Sequence, residues 1–224
     1  PWSNTRAAAS RLNSAENVRR CLLIRHLSHG EDFRLNRCPG SVDHYSNMNS
    51  SCQHVLCGLM DFSKKLPDNV VKVKKGMAFF VERSALYSLS ILKLLFFVSV
   101  NCGAKKIFFC FLVAQKNKFE ISSVYEVDLL EVNFTEIENR LFSLYEEHVL
   151  VGEVGRIVAF SDMVSWVLYE EVLEEIGVLV MLDETRSVYS NFDFGEFVSR
   201  EFMMEQADLG LYRKEYVDKL ISNY

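Results

Sequence analysis

The 224-residue sequence contains no G-x-x-x-x-G-K-[ST] motif. That loop supplies the backbone N–H groups and the lysine that hold nucleotide phosphates, so its absence argues against the usual phosphate chemistry. Proline is also scarce, with three residues, while 49% of the residues are hydrophobic. A chain of this composition can bury a core and does not belong to the disordered class.

Positive charge is in the minority. The chain has 25 Lys and Arg against 30 Asp and Glu, which gives a net charge of −5. A basic band covers residues 64–118, whereas acidic residues dominate after Glu120. Because no segment is strongly basic, the sequence does not indicate direct binding to nucleic acid.

The cysteines match neither a disulfide framework nor a zinc pair. They are six in number, at positions 21, 38, 52, 57, 102 and 110. The runs around the last two are apolar, which predicts reduced core thiols and a reducing compartment. An alternative is a metal site built from His26, His29, Cys52, His54 and Cys57. Its spacings fit no common zinc pattern, so we predict no metal site.

Residues 1–59 differ in composition from the rest of the chain. They are rich in Ser and Asn, contain Arg but no Lys, and lack apolar periodicity. We interpret this segment as a poorly ordered or spurious extension. The alternative is a mitochondrial transit peptide, because the run Arg6–Leu12 is rich in Arg and poor in acid. The sequence then predicts a folded domain at 60–205 and a helical tail at 206–224.

The first part of the domain has a strand-helix-strand pattern. Residues 77–81 form a short apolar run, and apolar residues recur every three or four positions over 84–100. Gly103 fits the left-handed position beyond a helix end. A second apolar run covers 107–113. Apolar runs on both strands predict a βαβ unit with parallel pairing and both faces covered.

The remaining chain continues the alternation of strands and helices. Asn133 and Glu136 have capping-box spacing and open a helix that runs to about residue 149. The further predictions are strands at 124–130, 155–160, 177–182 and, at an edge, 197–204, with helices at 162–176 and 213–223. Together these elements predict a three-layer α/β domain with a mostly parallel sheet.

One apolar stretch raises a membrane alternative. Residues 86–102 carry a single charge, Lys93. The stretch is marginal in length for a bilayer, and the lysine would lie in mid-span at high cost. A buried crossover helix is therefore the favoured interpretation.

Several polar residues are candidates for a site. Asp162 could hold a metal, but capping of the helix predicted to follow it is favoured. Asp183 and Glu184 follow a strand end, where ligands bind in open α/β sheets, yet no nucleophile and base accompany them. His148 is predicted at a helix end. The sequence therefore predicts no catalytic residue and no bound cofactor. Trp166 suits an interface anchor or core packing equally well.

Three segments together resemble the fifth subunit of the Elongator complex. The first is Gly76-Met-Ala-Phe-Phe-Val-Glu-Arg-Ser84 with its helix, Cys102-Gly103 and the strand 107–111. The second, Phe160-Ser-Asp-Met-Val-Ser-Trp-Val-Leu168, is similar to an Asp-Ser-Leu-Ser-Trp-Leu-Leu segment of that family. The third is 178–184, although Asp183 stands where that family often has histidine. The resemblance covers about residues 60–205.

This resemblance implies a RecA-like domain without its phosphate loop. It implies a non-catalytic structural subunit that joins sister subunits four and six in a hetero-hexameric ring on the catalytic Elongator core. The complex modifies the wobble uridine of tRNA, and the chemistry belongs to another subunit, so this subunit would contact tRNA only indirectly. The implied location is the cytoplasm and nucleus. Expected interface residues are Trp166, Tyr169, Leu211, Tyr212 and Tyr216. The open alternatives are another inactive RecA-like scaffold of recombinase-paralogue type, a mitochondrial or membrane-associated accessory protein, and a small α/β enzyme that uses Asp183 and Glu184.

Overall fold

The chain divides into two compact units, residues 1–41 and 42–224. The structure, a computed structural model, describes residues 52–72, 76–82, 85–115, 118–149, 154–189 and 197–224, all in the second unit. The transit-peptide prediction at Arg6–Leu12 lies outside the described residues, as do His26 and His29.

A six-stranded sheet forms the centre of the described unit. Its strands are β1 (Gly76–Glu82), β2 (Lys106–Gln115), β3 (Lys118–Asp128), β4 (Arg156–Ser161), β5 (Trp166–Glu171) and β6 (Ile176–Leu182). The order across the sheet is β1-β6-β5-β4-β2-β3. Every neighbouring pair is antiparallel.

In the described residues, the helices of eight or more residues are α1 (52–59), α2 (Leu89–Asn101), α3 (Phe134–His148), α4 (Arg200–Asp208) and α5 (Lys214–Asn223). A single helical turn also covers Arg186–Tyr189. The sequence predicts α2, α3 and α5 but neither α1 nor α4. The Asn133 side chain accepts the Glu136 backbone N–H at 3.4 Å, which confirms the predicted cap of α3. Gly103 has φ +77°, which confirms the left-handed position beyond α2.

The prediction of a mostly parallel, RecA-like sheet is wrong. β1 and β2 are not neighbours, because β1 lies next to β6 and β2 lies between β3 and β4. Continuous apolar strands indicate burial on both faces, and this sheet has helices on both faces without parallel pairing. The apolar pattern therefore indicated correctly that both faces of the sheet are covered, but the strand direction inferred from it was wrong.

Two individual elements also differ from their predictions. Residues 162–176 are not a helix but a turn, the strand β5, a 3-10 turn at Val172–Glu174 and the start of β6. β5 is buried on both faces, so it shows neither strand alternation nor a helical period. The strand predicted at 197–204 is mainly α4, whose N-cap Ser199 accepts the Phe202 N–H at 3.1 Å. Only Val198 makes a strand-like bridge, to Phe80.

The sheet separates two hydrophobic cores. Successive side chains along a strand point to opposite faces, so each strand contributes to both cores. On one face, Ile157 and Leu168 pack with residues of α2 and α3. On the other face, Val158 and Val167 pack with residues of α1, α4 and α5. The described unit therefore has helices on both faces of an antiparallel sheet.

The stretch 86–102, which raised a membrane alternative, does not form a membrane-spanning helix in the structure. α2 has 13 residues. Among the described residues, no helix has both the length and the apolar character needed to cross a bilayer.

Candidate binding groove

A groove of about 380 Å³ opens on the face that carries α5. Three segments form it: the loop after α1, the connection from β5 to β6, and the turn that joins α4 to α5. The lining residues are Lys65, Leu66, Pro67, Glu174, Ile176, Leu211, Tyr212, Arg213 and Tyr216. This volume lies at the lower end of the range for ligand sites, about 300–1,000 Å³.

The end of α5 holds the first wall of the groove in place. The Tyr224 hydroxyl accepts the Val70 backbone N–H at 2.8 Å, and Asn223 Nδ2 donates to the Pro67 carbonyl at 2.9 Å. Lys219 and Asp68 form an exposed ion pair at 2.5 Å. These contacts tie residues that are more than 150 positions apart, so the wall depends on the docked tail helix.

The turn between α4 and α5 forms the opposite wall. Gly210 lies in this turn with φ +77°, a conformation that glycine adopts without strain. Tyr212 then reaches the end of β1, where its hydroxyl donates to Glu82 Oε1 at 2.8 Å. Leu211 stays 63% exposed beside it. The turn therefore presents one anchored aromatic ring and one free apolar side chain.

Tyr216 lines the groove, and its hydroxyl is buried. This oxygen has no hydrogen-bond partner in the described part of the chain. Burial raises the pKa of Tyr216 well above its usual value, and the carboxylates of Glu174 and Glu171 raise it further. A tyrosine with its ordinary pKa is already neutral at physiological pH, so the raised pKa keeps this hydroxyl protonated to still higher pH.

Two cations stand at the groove without an ion-pair partner among the described residues. They are Lys65 and Arg213, both exposed. Their sequence neighbours behave differently: Lys64 pairs with Asp61 at 3.1 Å, and Lys214 pairs with Asp208 at 3.0 Å.

The five predicted interface residues fall into two groups. Leu211, Tyr212 and Tyr216 come together in the groove. Trp166 is 0% and Tyr169 1% exposed, and each packs in one of the two cores. These two aromatic residues therefore contribute to core packing and are not available as surface anchors in this unit.

The polar atoms of Trp166 and Tyr169 are satisfied inside the protein. Trp166 Nε1 donates to Ser99 Oγ at 2.8 Å, which links β5 to α2. The Tyr169 hydroxyl donates to the Glu171 carboxylate, and Glu171 also pairs with Arg156 at 3.3 Å. Burial, together with Glu171, raises the pKa of Tyr169 well above its usual value. The indole N–H and the Tyr169 hydroxyl therefore have the partners that buried polar groups require, whereas Arg156 Nε makes only the charge contact with Glu171.

The remaining candidate residues do not converge on one site. Asp162 caps no helix, because β5 follows it; its carboxylate accepts the Lys105 backbone N–H at 3.1 and 3.3 Å. Asp183 is exposed in a 3-10 turn after β6. His148 ends α3 as predicted, and its Nδ1 lies 3.4 Å from Ser122 Oγ.

No cluster of metal-ligating side chains occurs among the described residues. The cysteines there, Cys52, Cys57, Cys102 and Cys110, are free thiols. Cys52 and burial raise the pKa of the Cys110 thiol, which lies in the core. Low-pKa, accessible thiols are the reactive kind, and Cys110 is neither.

Sequence reasoning missed the first wall of the groove and its cations. Lys65, Leu66 and Pro67 lie about 110 positions before Glu174, so no local pattern joins them. Glu174 and Ile176 fall in the stretch predicted as a helix, which the structure replaces by a 3-10 turn and a strand. Leu211, Tyr212 and Tyr216 were named as interface residues that the resemblance implied, because exposed aromatic residues are the usual anchors.

Comparison of the chain with protein-family models, with curated proteins and with solved structures finds no match.

Proposed function

We propose that this protein is a non-catalytic protein that binds a partner protein through the groove. The observation that carries the proposal is the exposed Leu211, which stands next to the anchored ring of Tyr212 and the unpaired cation of Arg213. Aromatic residues and Arg are enriched at interfaces, and a concave surface gives them a pocket in which to act.

The buried polar groups support a structural role for the interior. Glu170 accepts the Ala85 backbone N–H at 2.6 Å, and Trp166 donates to Ser99. Each of these contacts joins a strand to the segment that covers it. Their chemistry is therefore explained by the stability of the three layers, without a reaction.

The role in Elongator that the resemblance implied stays a prediction, because it rests on three sequence segments. The RecA-like fold implied with it is wrong, since every neighbouring pair of strands in the sheet is antiparallel. Recovery of Elongator subunits in the experiment below would support this role.

The test is affinity purification of the tagged full chain from its own cells, followed by quantitative mass spectrometry. Two variants are compared with the wild type, Leu211→Asp and Leu209→Asp. Both leucines are exposed, at 63% and 67%, but only Leu211 lines the groove. The substitutions are chemically identical and should leave the fold intact, because neither side chain belongs to the core.

We expect the Leu211 variant to lose at least one specific partner by about fivefold or more, since hot-spot residues contribute more than 1 kcal/mol. The Leu209 variant should recover that partner at the wild-type level. Equal recovery of every captured protein by the two variants would overturn the proposal.

A further inference from the structure

We infer that the groove receives an acidic segment of the partner protein, with carboxylates at Lys65 and Arg213 and an apolar side chain between them. This inference rests on the function proposed above and adds the chemistry of the occupant. It follows from three properties of the groove: unpaired positive charge, an apolar base and a small volume.

The groove carries an excess of positive charge, although the chain as a whole is negatively charged. The whole sequence carries a net charge of −5, yet the groove has two cations and one acid. In the described part of the chain, the acid Glu174 forms no ion pair with Lys65 or Arg213. Neighbouring Lys64 and Lys214 each have an aspartate partner instead. Among the described residues, the two cations that line the groove thus have no ion-pair partner.

The base of the groove is apolar. Leu66 and Ile176 line it but are only 1% and 4% exposed, so they leave little surface to be covered. The exposed apolar surface is that of Leu211, at 63%, beside the half-buried rings of Tyr212 and Tyr216. An occupant therefore needs an apolar side chain to cover Leu211 as well as a negative charge to meet the cations.

The volume and the acid Glu174 favour a carboxylate over a phosphate. A volume of about 380 Å³ holds a few side chains of an extended segment. A phosphate group carries up to two negative charges and would face Glu174 at close range, whereas each carboxylate carries one. Nucleic acid would require a longer run of cations than the two found here.

The test measures binding of the full chain to fluorescein-labelled peptides by fluorescence anisotropy. The acidic probe alternates Asp or Glu with Leu, and its counterpart has Lys in place of every acid. The groove variant is Lys65→Glu with Arg213→Glu. The control is Lys93→Glu with Lys105→Glu, which makes the same change in net charge. Both control residues are exposed, and Lys93 lies on α2, which packs on the opposite face of the sheet.

We expect the acidic peptide to bind the wild type and the basic peptide not to bind. The groove variant should bind the acidic peptide about tenfold more weakly, because two ion pairs are lost and charge reversal adds repulsion. It should also gain affinity for the basic peptide, which a loss of folding could not produce. The control variant should keep wild-type affinity, and added salt should weaken the wild-type complex.

Three outcomes would overturn the inference: no binding of the acidic peptide, equal binding of the basic peptide, or equal loss in the control variant. Tighter binding of inorganic phosphate or single-stranded RNA at the same cations would also overturn it. The proposed function, binding of a partner protein, is tested separately from the acidic nature of the occupant. If Leu211→Asp loses the cellular partner and the charge reversal does not, partner binding stands and the acidic occupant is wrong.

Discussion

The buried carboxylate of Glu170 on β5 accepts a hydrogen bond from the backbone N–H of Ala85 at 2.6 Å. The two residues are 85 positions apart, and Glu170 is 2% exposed. Ala85 begins the 3-10 turn that leads into α2. The side chain of a strand residue therefore replaces a local cap and fixes where this turn meets the sheet.

Replacement of Glu170 should show what this hydrogen bond contributes. Glu170→Gln keeps an oxygen that can accept the Ala85 N–H, whereas Glu170→Leu leaves that N–H buried without this acceptor. We expect the leucine variant to lose about 1–3 kcal/mol of unfolding free energy and the glutamine variant clearly less. Urea unfolding followed by circular dichroism measures both. Equal losses would show that the charge of Glu170, and not its acceptor oxygen, is what matters.

The sequence predicted the strands whose signal is local. The apolar runs at 107–113, 155–160 and 177–182 are strands in the structure, because each is bounded by a glycine or by polar residues. Strand direction is not encoded in such runs, since burial on both faces gives the same pattern in parallel and antiparallel sheets. β5 was missed for a related reason: Glu170 and Glu171 are buried within it, and acids at the end of an apolar segment suggest a solvated helix.

The sequence did not predict the groove, although three of its lining residues were among the expected interface residues. Leu211, Tyr212 and Tyr216 are neighbours along the chain, so one segment brings them together. The opposite wall depends on contacts such as Asn223 to Pro67, which join the two ends of the unit. Such long-range pairs leave no periodicity in a single sequence.

The hydrogen bond between Trp166 and Ser99 predicts a specific coupling. Ser99 Oγ accepts the indole N–H at 2.8 Å and donates to the Leu95 carbonyl at 2.7 Å. Ser99→Ala would leave the buried indole N–H without this partner, so we expect a loss of about 1–3 kcal/mol. In a Trp166→Phe background, where no indole N–H remains, the same substitution should cost clearly less. The measurement is a double-mutant cycle in urea, and additive losses would contradict the coupling.

Two tyrosines should respond in opposite ways to removal of the hydroxyl. The Tyr169 hydroxyl donates to the Glu171 carboxylate, so Tyr169→Phe should lose about 1.5–3 kcal/mol of unfolding free energy. The Tyr216 hydroxyl is buried without a partner in the described residues, so Tyr216→Phe should gain about 1 kcal/mol or remain neutral. The two substitutions are identical, and thermal unfolding of both variants compares them directly. A destabilised Tyr216 variant would show that its hydroxyl is hydrogen-bonded in solution.

Tyr145 on α3 predicts how stability falls at alkaline pH. Burial, followed by the charges of Glu170 and Glu175, raises the pKa of Tyr145 from its ordinary value of 10 to about 12. Above pH 10 the unfolded chain loses a proton that the folded chain keeps until about pH 12. The unfolded state therefore binds fewer protons between pH 10 and pH 12, so the unfolding free energy falls as the pH rises through this window. The full contribution of Tyr145 to stability is present only below pH 10.

Tyr145→Phe removes this titrating group. The unfolding free energy of the variant should fall less steeply than that of the wild type between pH 10 and 12. The difference in slope should approach the release of one proton, because only one hydroxyl has been removed. Urea unfolding at several pH values measures the two slopes. The difference in unfolding free energy between the two proteins at pH 7 is the control, because it gives the effect of the substitution that does not depend on ionisation. Parallel curves for the two proteins would mean that Tyr145 titrates alike in the folded and unfolded states.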